Sequence, residues 1–176
     1  HSLITTGQMV DFAETEEYCY NEAFRIATEN DDQSQLERLE SLESIPPTGD
    51  NISLDAATYL NYLHSHMASS SDINQTSWDT FDTLLSPEYN IGDSLNFFRG
   101  LYSTFSHVYQ QLYETDLRET HTEFDIPVYI LHGKHDVNAP VYLVDEYHSL
   151  IDAPEKALIY FENSGHNPWI TEPELY

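Results

Sequence analysis

Two short apolar segments near the end of the chain constrain its fold more than any other feature. Residues 128–131 and 157–161 are continuous apolar runs, which are typical of strands buried on both faces of a parallel sheet. Between them, Pro140 can occupy the first turn of a helix, and residues 141–151 continue it. The order strand, helix, strand predicts a parallel crossover unit and therefore an α/β fold.

The chain before residue 124 has a different pattern. Apolar residues recur at helical spacing, and they predict helices over 11–29, about 32–42, 55–67 and 78–85, and a longer helix after Asp93. The last helix carries a wide apolar stripe, which we expect to pack in the core: Leu95, Phe98, Leu101, Tyr102, Phe105, Val108, Tyr109 and Leu112. We therefore predict a helical segment, 1–123, followed by a strand–helix–strand segment, 124–176.

The charge balance excludes several classes of partner. The 176 residues include 6 Lys+Arg and 31 Asp+Glu, for a formal net charge of −25. Nucleic acid and anionic membranes are bound mainly through Lys and Arg, so we expect neither as a partner. No apolar stretch approaches the ~20 residues of a membrane span, and no signal-peptide pattern opens the chain, so we expect a cytoplasmic protein. Because the first residue is His1, we also expect a piece of a longer protein.

Polar residues follow both predicted strands at the point where each one ends. Asp136 comes shortly after the first strand, and His166 comes shortly after the second. The carboxyl ends of parallel strands lie at one edge of a sheet, so these side chains can meet there. A histidine that acts as a general base needs a carboxylate to accept its other N–H. Asp136 and His166 are therefore the candidate acid–base pair.

The residues around this pair resemble the last third of an α/β-hydrolase of the proline-iminopeptidase-like group. The resemblance is carried by residues 127–136, 139–140, 161–169 and 172–173. Residues 6–11, 14–16, 86–89, 93 and 100–101 resemble the helical cap of that group. It implies that residues 1–123 are the cap and that 124–176 close the hydrolase core. It also implies that the intact protein is a serine hydrolase acting on short peptides or amides with a free N-terminus, without a cofactor.

The nucleophile of that superfamily is missing from this sequence. It is a serine in a G-x-S-x-G turn, and none of the six glycines here lie four apart: Gly7, Gly49, Gly92, Gly100, Gly133 and Gly165. The sequence thus predicts a cap plus two strands that need the N-terminal half of the same protein, and an isolated chain without hydrolase activity. Its unpaired sheet edge predicts either a homodimer that covers this surface or helices rearranged over it.

The resemblance also implies a place for the substrate. A positively charged N-terminus can be held by carboxylates of the cap, and the candidates are Glu14, Glu16 and Glu17, with Glu16 closest to the family pattern. The alternative for all three is a solvated helix face. Alternatives for the whole protein are a carboxylesterase or another capped hydrolase with a small ester substrate, or a non-catalytic hydrolase-like interaction domain.

Metal and thiol chemistry have weaker support. His64 and His66 are two residues apart, so on a helix they point to different sides. His132, His135 and His166 could converge on a metal, but the acid–base interpretation of His166 is favoured over it, and we predict no metal site. Cys19 is the single cysteine, which excludes an intramolecular disulfide, and in a helix it is typical of a small core residue.

Overall fold

A computed structural model describes residues 1–48, 52–69, 87 and 89–176. Within these ranges three strands and seven helices follow one another in the chain. They are β1 (Leu3–Thr6), α1 (Phe12–Glu29), α2 (Gln33–Glu40), α3 (Ile52–Ser69), α4 (Ile91–Leu112), α5 (Leu117–Thr120), β2 (Val128–Gly133), α6 (Val141–Leu150), β3 (Lys156–Phe161) and α7 (Pro168–Thr171). The predicted helix over 78–85 lies outside the described residues.

The three strands form one parallel sheet in the order β1-β2-β3. Helix α6 covers one face, where Val128 and Ile130 of β2 pack against Leu143, Val144 and Tyr147. These buried side chains alternate along β2, because successive residues of a strand point to opposite faces. The predicted α/β class, with a mostly helical part followed by a strand–helix–strand unit of a parallel sheet, is confirmed.

Strand β1 was not predicted, and it corrects the expected two-strand sheet to three strands. It pairs with β2 in the register Leu3 with Val128 and Thr6 with Leu131. The sequence did not reveal β1 because four residues are too few to show a reliable alternation of apolar and polar side chains. Its partner strand also lies far away in the sequence. β1 falls within the predicted segment 1–123 but joins the sheet of 124–176, while the division into a cap and a core segment stays a prediction.

The helical part has its own core between α1, α2 and α3. Helix α1 begins at Asp11, whose side chain accepts a hydrogen bond from the Glu14 backbone N–H at 2.9 Å and so caps the first turn. Its small buried residues, Cys19 and Ala23, allow α3 to approach closely, and Tyr59 of α3 is fully buried in the same core. Fully burying one large apolar side chain contributes about 1.5–3 kcal/mol.

The apolar stripe of α4 corrects a second expectation. Tyr109 is buried in the helical core and Leu112 packs against it, but Leu95 is 61% exposed and Tyr102 48% exposed. Helical periodicity shows which side of a helix is apolar, and it does not show that a partner surface lies within the same chain. Most of the stripe is therefore available to a surface outside the described residues. No described helix has the length and apolarity that a membrane crossing requires.

Arg118 joins the helical part to the sheet. Its side chain is only 16% exposed, and its guanidinium forms ion pairs with Asp11, Glu14, Asp116 and Glu146 at 2.7–2.9 Å. These carboxylates belong to the start of α1, the start of α5 and helix α6. Paired, partly buried charges are screened less than surface ion pairs, so Arg118 fixes how α1 is placed against α6.

Candidate active site

The loops after β2 and β3 bring Asp136 and His166 into direct contact. The Nδ1 atom of His166 lies 2.9 Å from the Oδ2 atom of Asp136. Asp136 follows the end of β2 by three residues, and His166 follows the end of β3 by five. The two strands are parallel neighbours, so both loops leave the sheet at its carboxyl edge.

Asp136 is buried, and both oxygens of its carboxylate accept hydrogen bonds. Its side chain has no exposed surface, and its Oδ1 atom accepts hydrogen bonds from the backbone N–H groups of Asn138 at 2.9 Å and Ala139 at 3.0 Å. Backbone donors stabilise the charged form of a carboxylate. Because Oδ1 is occupied in this way, Oδ2 is directed at His166.

His166 has the hydrogen-bonding pattern of a general base. Burial lowers the pKa of this imidazole, but the hydrogen bond and the negative charge of Asp136 outweigh burial and raise the pKa above its ordinary value. With Nδ1–H donating to Asp136, the other ring nitrogen, Nε2, carries the lone pair in the neutral form. The side chain is 34% exposed, so the site can exchange a proton with a bound molecule.

Gly7, at the carboxyl end of β1, lies against the His166 ring. Its φ of +57° is in the left-handed region that favours glycine, and its N–H donates to the Leu131 carbonyl at 3.2 Å. A Cβ atom at this position would stand 2.8 Å from Cε1 and 3.0 Å from Nδ1 of His166. Sequence reasoning did not identify this role, because β1 itself was not predicted.

We expect Gly7→Ala to displace the His166 ring. The added methyl group overlaps the imidazole, and the left-handed backbone costs about 1–2 kcal/mol for an L-residue. The hydrogen bond to Asp136 should lengthen, and the pKa of His166 should fall towards its ordinary value, which an NMR titration of the imidazole measures. The control is Gly100→Ala, where an added Cβ meets no atom within 4 Å. An unchanged pKa in Gly7→Ala would contradict the contact.

A second glycine allows the two loops to approach each other. A Cβ atom on Gly133 would stand 1.9 Å from the Gly165 carbonyl oxygen and 2.5 Å from that of Ser164. The backbone of the His166 loop therefore passes directly over the end of β2. The position requires a residue without a side chain, because backbone atoms cannot move aside as a flexible side chain can.

Glu172 supports the loop that carries His166. Its carboxylate is 7% exposed, accepts a hydrogen bond from the Ser164 hydroxyl, and accepts another from the Asn163 backbone N–H at 3.1 Å. Ser164 has no exposed surface. The loop before His166 is thus tied to the residues after α7. Sequence reasoning did not identify this role, although Ser164 and Glu172 lie in residues 161–169 and 172–173, which carry the resemblance.

Two other histidines near this site, one in β2 and one in the loop after it, lie within hydrogen-bonding distance of backbone carbonyls. The Nε2 atom of His132 lies 2.8 Å from the Ala139 carbonyl oxygen, and that of His135 lies 3.1 Å from the Glu162 carbonyl oxygen. His132 is fully buried, and burial lowers its pKa. Among the described residues, no three His, Cys, Asp or Glu side chains are grouped as metal ligands.

The three carboxylates predicted to bind the substrate lie in different surroundings. Glu14 pairs with Arg118 at 2.8 Å and accepts a hydrogen bond from the Tyr142 hydroxyl at 3.1 Å. Glu17, by contrast, is exposed on the surface of α1. Only Glu16 is enclosed, with 2% exposure. The three predicted substrate-binding residues are therefore not brought together, and their role stays a prediction.

Glu16 is surrounded by tyrosines. The Tyr109 hydroxyl donates to its Oε1 at 3.0 Å, and the Tyr59 hydroxyl donates to its Oε2. Burial raises the pKa of Glu16, although the two hydrogen bonds act in the opposite direction. Tyr113 lies close enough for the Glu16 charge to raise its own pKa, after the larger effect of burial, and its buried hydroxyl has no protein partner among the described residues.

The contact made by Cys19 indicates which side of α1 carries Glu16: the side that faces the loop of Asp136. It lies three residues after Glu16, which puts the two on one helical face, and its Sγ donates to the Val137 carbonyl at 3.1 Å. Burial raises the pKa of Cys19, and the charges of Glu16 and Asp136 add to that effect. Cys19 is thus a core residue without thiolate character, close enough to both carboxylates for their charges to act on its pKa.

Comparison with known proteins gives local similarity to hydrolases. No protein-family model matches the chain. A stretch of 96 residues is 32% identical to the probable aminopeptidase YbaC of Bacillus subtilis (strain 168), over 54% of this chain and 30% of that protein. An alpha/beta fold family hydrolase from Bacillus anthracis str. Sterne aligns with a TM-score of 0.44 and 20% identity, over 99% of this chain and 55% of that one. The chain thus spans less than two thirds of the length of either protein, and its sequence is similar to part of a probable aminopeptidase.

Proposed function

We propose that the chain is the cap and closing core segment of an α/β-hydrolase, and that the intact protein is a proline-iminopeptidase-like serine hydrolase. Its substrates are short peptides or amides with a free N-terminus. The observation that carries the proposal is the buried Asp136 carboxylate, with both oxygens bonded and one of them on His166 Nδ1. The local similarity to an aminopeptidase supports the peptide substrate.

The geometry suits acyl transfer. His166 Nε2 takes the proton of an attacking serine hydroxyl and gives it to the leaving amine, and water then releases the acyl group from the serine with the same proton transfers. Asp136 holds the imidazole orientation and stabilises its charged form. The serine and the donors of the oxyanion hole come from the N-terminal half, because the present sequence contains no G-x-S-x-G.

The sheet offers a surface to that N-terminal half. Among the described residues, β1 is an edge strand that pairs only with β2, and Ile4 and Ile159 are 60% and 45% exposed. Additional strands and helices of the hydrolase would cover this edge and face. In the isolated chain a second copy can occupy the same edge, and light scattering distinguishes that dimer from a monomer.

Labelling with a fluorophosphonate probe tests the proposal. We expect the longer polypeptide that includes the N-terminal half to be labelled and to hydrolyse aminoacyl amides, and the 176-residue chain to be neither labelled nor active. The reading frame before His1 should encode G-x-S-x-G. Its absence there, or labelling of the 176-residue chain, would refute the proposal.

We expect Glu16→Gln in the intact enzyme to raise KM for substrates with a free amine. An incoming ammonium group would replace a tyrosine hydroxyl at the carboxylate, and loss of that charge-assisted contact costs about tenfold or more in affinity. The KM for simple esters, which lack the amine, should not change. The amide oxygen can still accept a hydrogen bond from one tyrosine hydroxyl, and circular dichroism checks that the variant keeps its fold. Glu17→Gln, on the exposed side of α1, is the control and should leave KM unchanged. If Glu16→Gln raises KM equally for both substrate types, Glu16 does not bind the free amine.

A further inference from the structure

His132, near the carboxyl end of β2, is a buried histidine that the proposed acyl transfer does not use. Its side chain is fully buried, and its Nε2 atom lies 2.8 Å from the carbonyl oxygen of Ala139. A carbonyl oxygen only accepts hydrogen bonds, so Nε2 carries a proton and donates it. The other ring nitrogen, Nδ1, is buried without a hydrogen-bonding partner among the described residues, so a proton there would have no acceptor. These contacts define a neutral imidazole with its proton on Nε2.

The carbonyl that accepts this hydrogen bond belongs to the peptide between Ala139 and Pro140. Proline has no backbone N–H, so this carbonyl is the only hydrogen-bonding group of that peptide. Ala139 is 1% exposed, and a buried carbonyl that lacks a donor destabilises the fold. His132 therefore supplies a donor that this peptide needs, and it ties the end of the loop after β2 to the strand itself.

Ala139 also bonds to the candidate acid. Its backbone N–H donates to the Oδ1 atom of Asp136 at 3.0 Å, and the Oδ2 atom of Asp136 lies 2.9 Å from Nδ1 of His166. A continuous path of hydrogen bonds thus runs from His132 through Ala139 and Asp136 to the candidate base. The first three residues of this path are buried, so close packing leaves them little room to move separately.

We propose that His132 is a positioning residue, which holds the loop between β2 and α6 at Ala139 and thereby sets the orientation of Asp136 towards His166. The structural link stands on the three hydrogen bonds above, and its effect on turnover rests on the proposed function. Burial lowers the pKa of His132, and the charge of Asp136 opposes this only in part. For His166, the effect of Asp136 exceeds that of burial and raises the pKa. His132 is therefore neutral while His166 titrates, and substituting it removes a hydrogen bond but no charge.

NMR of the imidazole nitrogens in the 176-residue chain tests the first link without any substitution. We expect His132 to be neutral and protonated on Nε2, with an N–H proton that exchanges slowly with water because the ring is buried. Protonation of His132 on Nδ1 instead, or on both nitrogens at neutral pH, would contradict donation to Ala139 from a neutral ring and overturn the proposal.

A matched pair of variants tests the whole path through the pKa of His166 in the same chain. His132→Gln places an amide N–H where Nε2 lies, so the bond to Ala139 and the pKa of His166 should be kept. His132→Asn carries the same amide, but it reaches only the position of Nδ1, so the loop should loosen and the pKa of His166 should fall by roughly half a unit. His107→Asn, at an exposed position of α4, is the control and should leave this pKa unchanged. Equal shifts in His132→Gln and His132→Asn, or no shift in either, would overturn the proposal.

Kinetics of the intact enzyme distinguish this proposal from the proposed function. His132→Asn should lower kcat roughly tenfold with little change in KM, since a misplaced base affects proton transfer more than substrate binding. His132→Gln should keep kcat close to that of the wild type. A His166 pKa shift in His132→Asn, in an intact protein that has no hydrolase activity, would refute the proposed function and leave the positioning role standing. Hydrolase activity whose kcat does not respond to His132→Asn would refute the positioning role alone.

Discussion

Asp136→Asn should abolish nearly all turnover of the intact enzyme, with a loss in kcat of about 10⁴-fold. The amide oxygen can still accept the backbone hydrogen bonds of Asn138 and Ala139, so the loop should keep its conformation. The amide N–H₂ would then face His166 Nδ1, which must become an acceptor. The proton moves to Nε2, and the imidazole can no longer take a proton from the nucleophile.

Asp125→Asn provides the matched control for this change. Asp125 is exposed and precedes β2, so the same carboxylate-to-amide change there should leave kcat unaltered. In the 176-residue chain, Asp136→Asn should also lower the pKa of His166, because the hydrogen bond and charge that raise it are both lost. Wild-type turnover in the Asp136→Asn enzyme would show that this pair is not the acid and base.

Gly133→Ala should have the largest effect on stability. The added Cβ would stand 1.9 Å from the Gly165 carbonyl oxygen, and only a shift of the backbone can relieve this overlap. We expect the free energy of unfolding to fall by about 3 kcal/mol or more, a large fraction of the stability of a typical domain. Urea denaturation of the 176-residue chain, followed by circular dichroism, measures the loss.

The Gly100→Ala variant again serves for comparison. Gly100 lies within α4 and a Cβ there meets no atom within 4 Å, so alanine should stabilise the helix by about 0.5–1 kcal/mol. Both variants replace glycine with alanine, but their effects on the free energy of unfolding should have opposite signs. If Gly133→Ala unfolds at the same urea concentration as the wild type, the close approach of the two loops is not present in solution.

The strand–helix–strand unit was predictable because its signals are local. The apolar runs of β2 and β3 and the proline before α6 each reflect short-range backbone and burial preferences. The meeting of Asp136 and His166 could be anticipated for a related reason, since parallel strands bring their carboxyl ends to one edge. The residues themselves indicated the pair, and the resemblance to hydrolases indicated its role.

Features that depend on distant contacts were not predictable in the same way. Strand β1 is a four-residue segment that becomes recognisable only through its pairing with β2. The contact of Gly7 with His166 also joins residues far apart in the sequence. Similarly, the exposure of the α4 stripe depends on the absence of a covering surface among the described residues, which periodicity does not report.

The pairing of β1 with β2 has a consequence for the order of folding. Leu3 leaves the ribosome well before its partner Val128, because the helices of the chain lie between them. The entropy of closing such a long loop has to be overcome before the pairing contributes. The helices between them can form first, from local contacts. Gly7 therefore reaches His166 only in the last stage, so the candidate site assembles after the helical core.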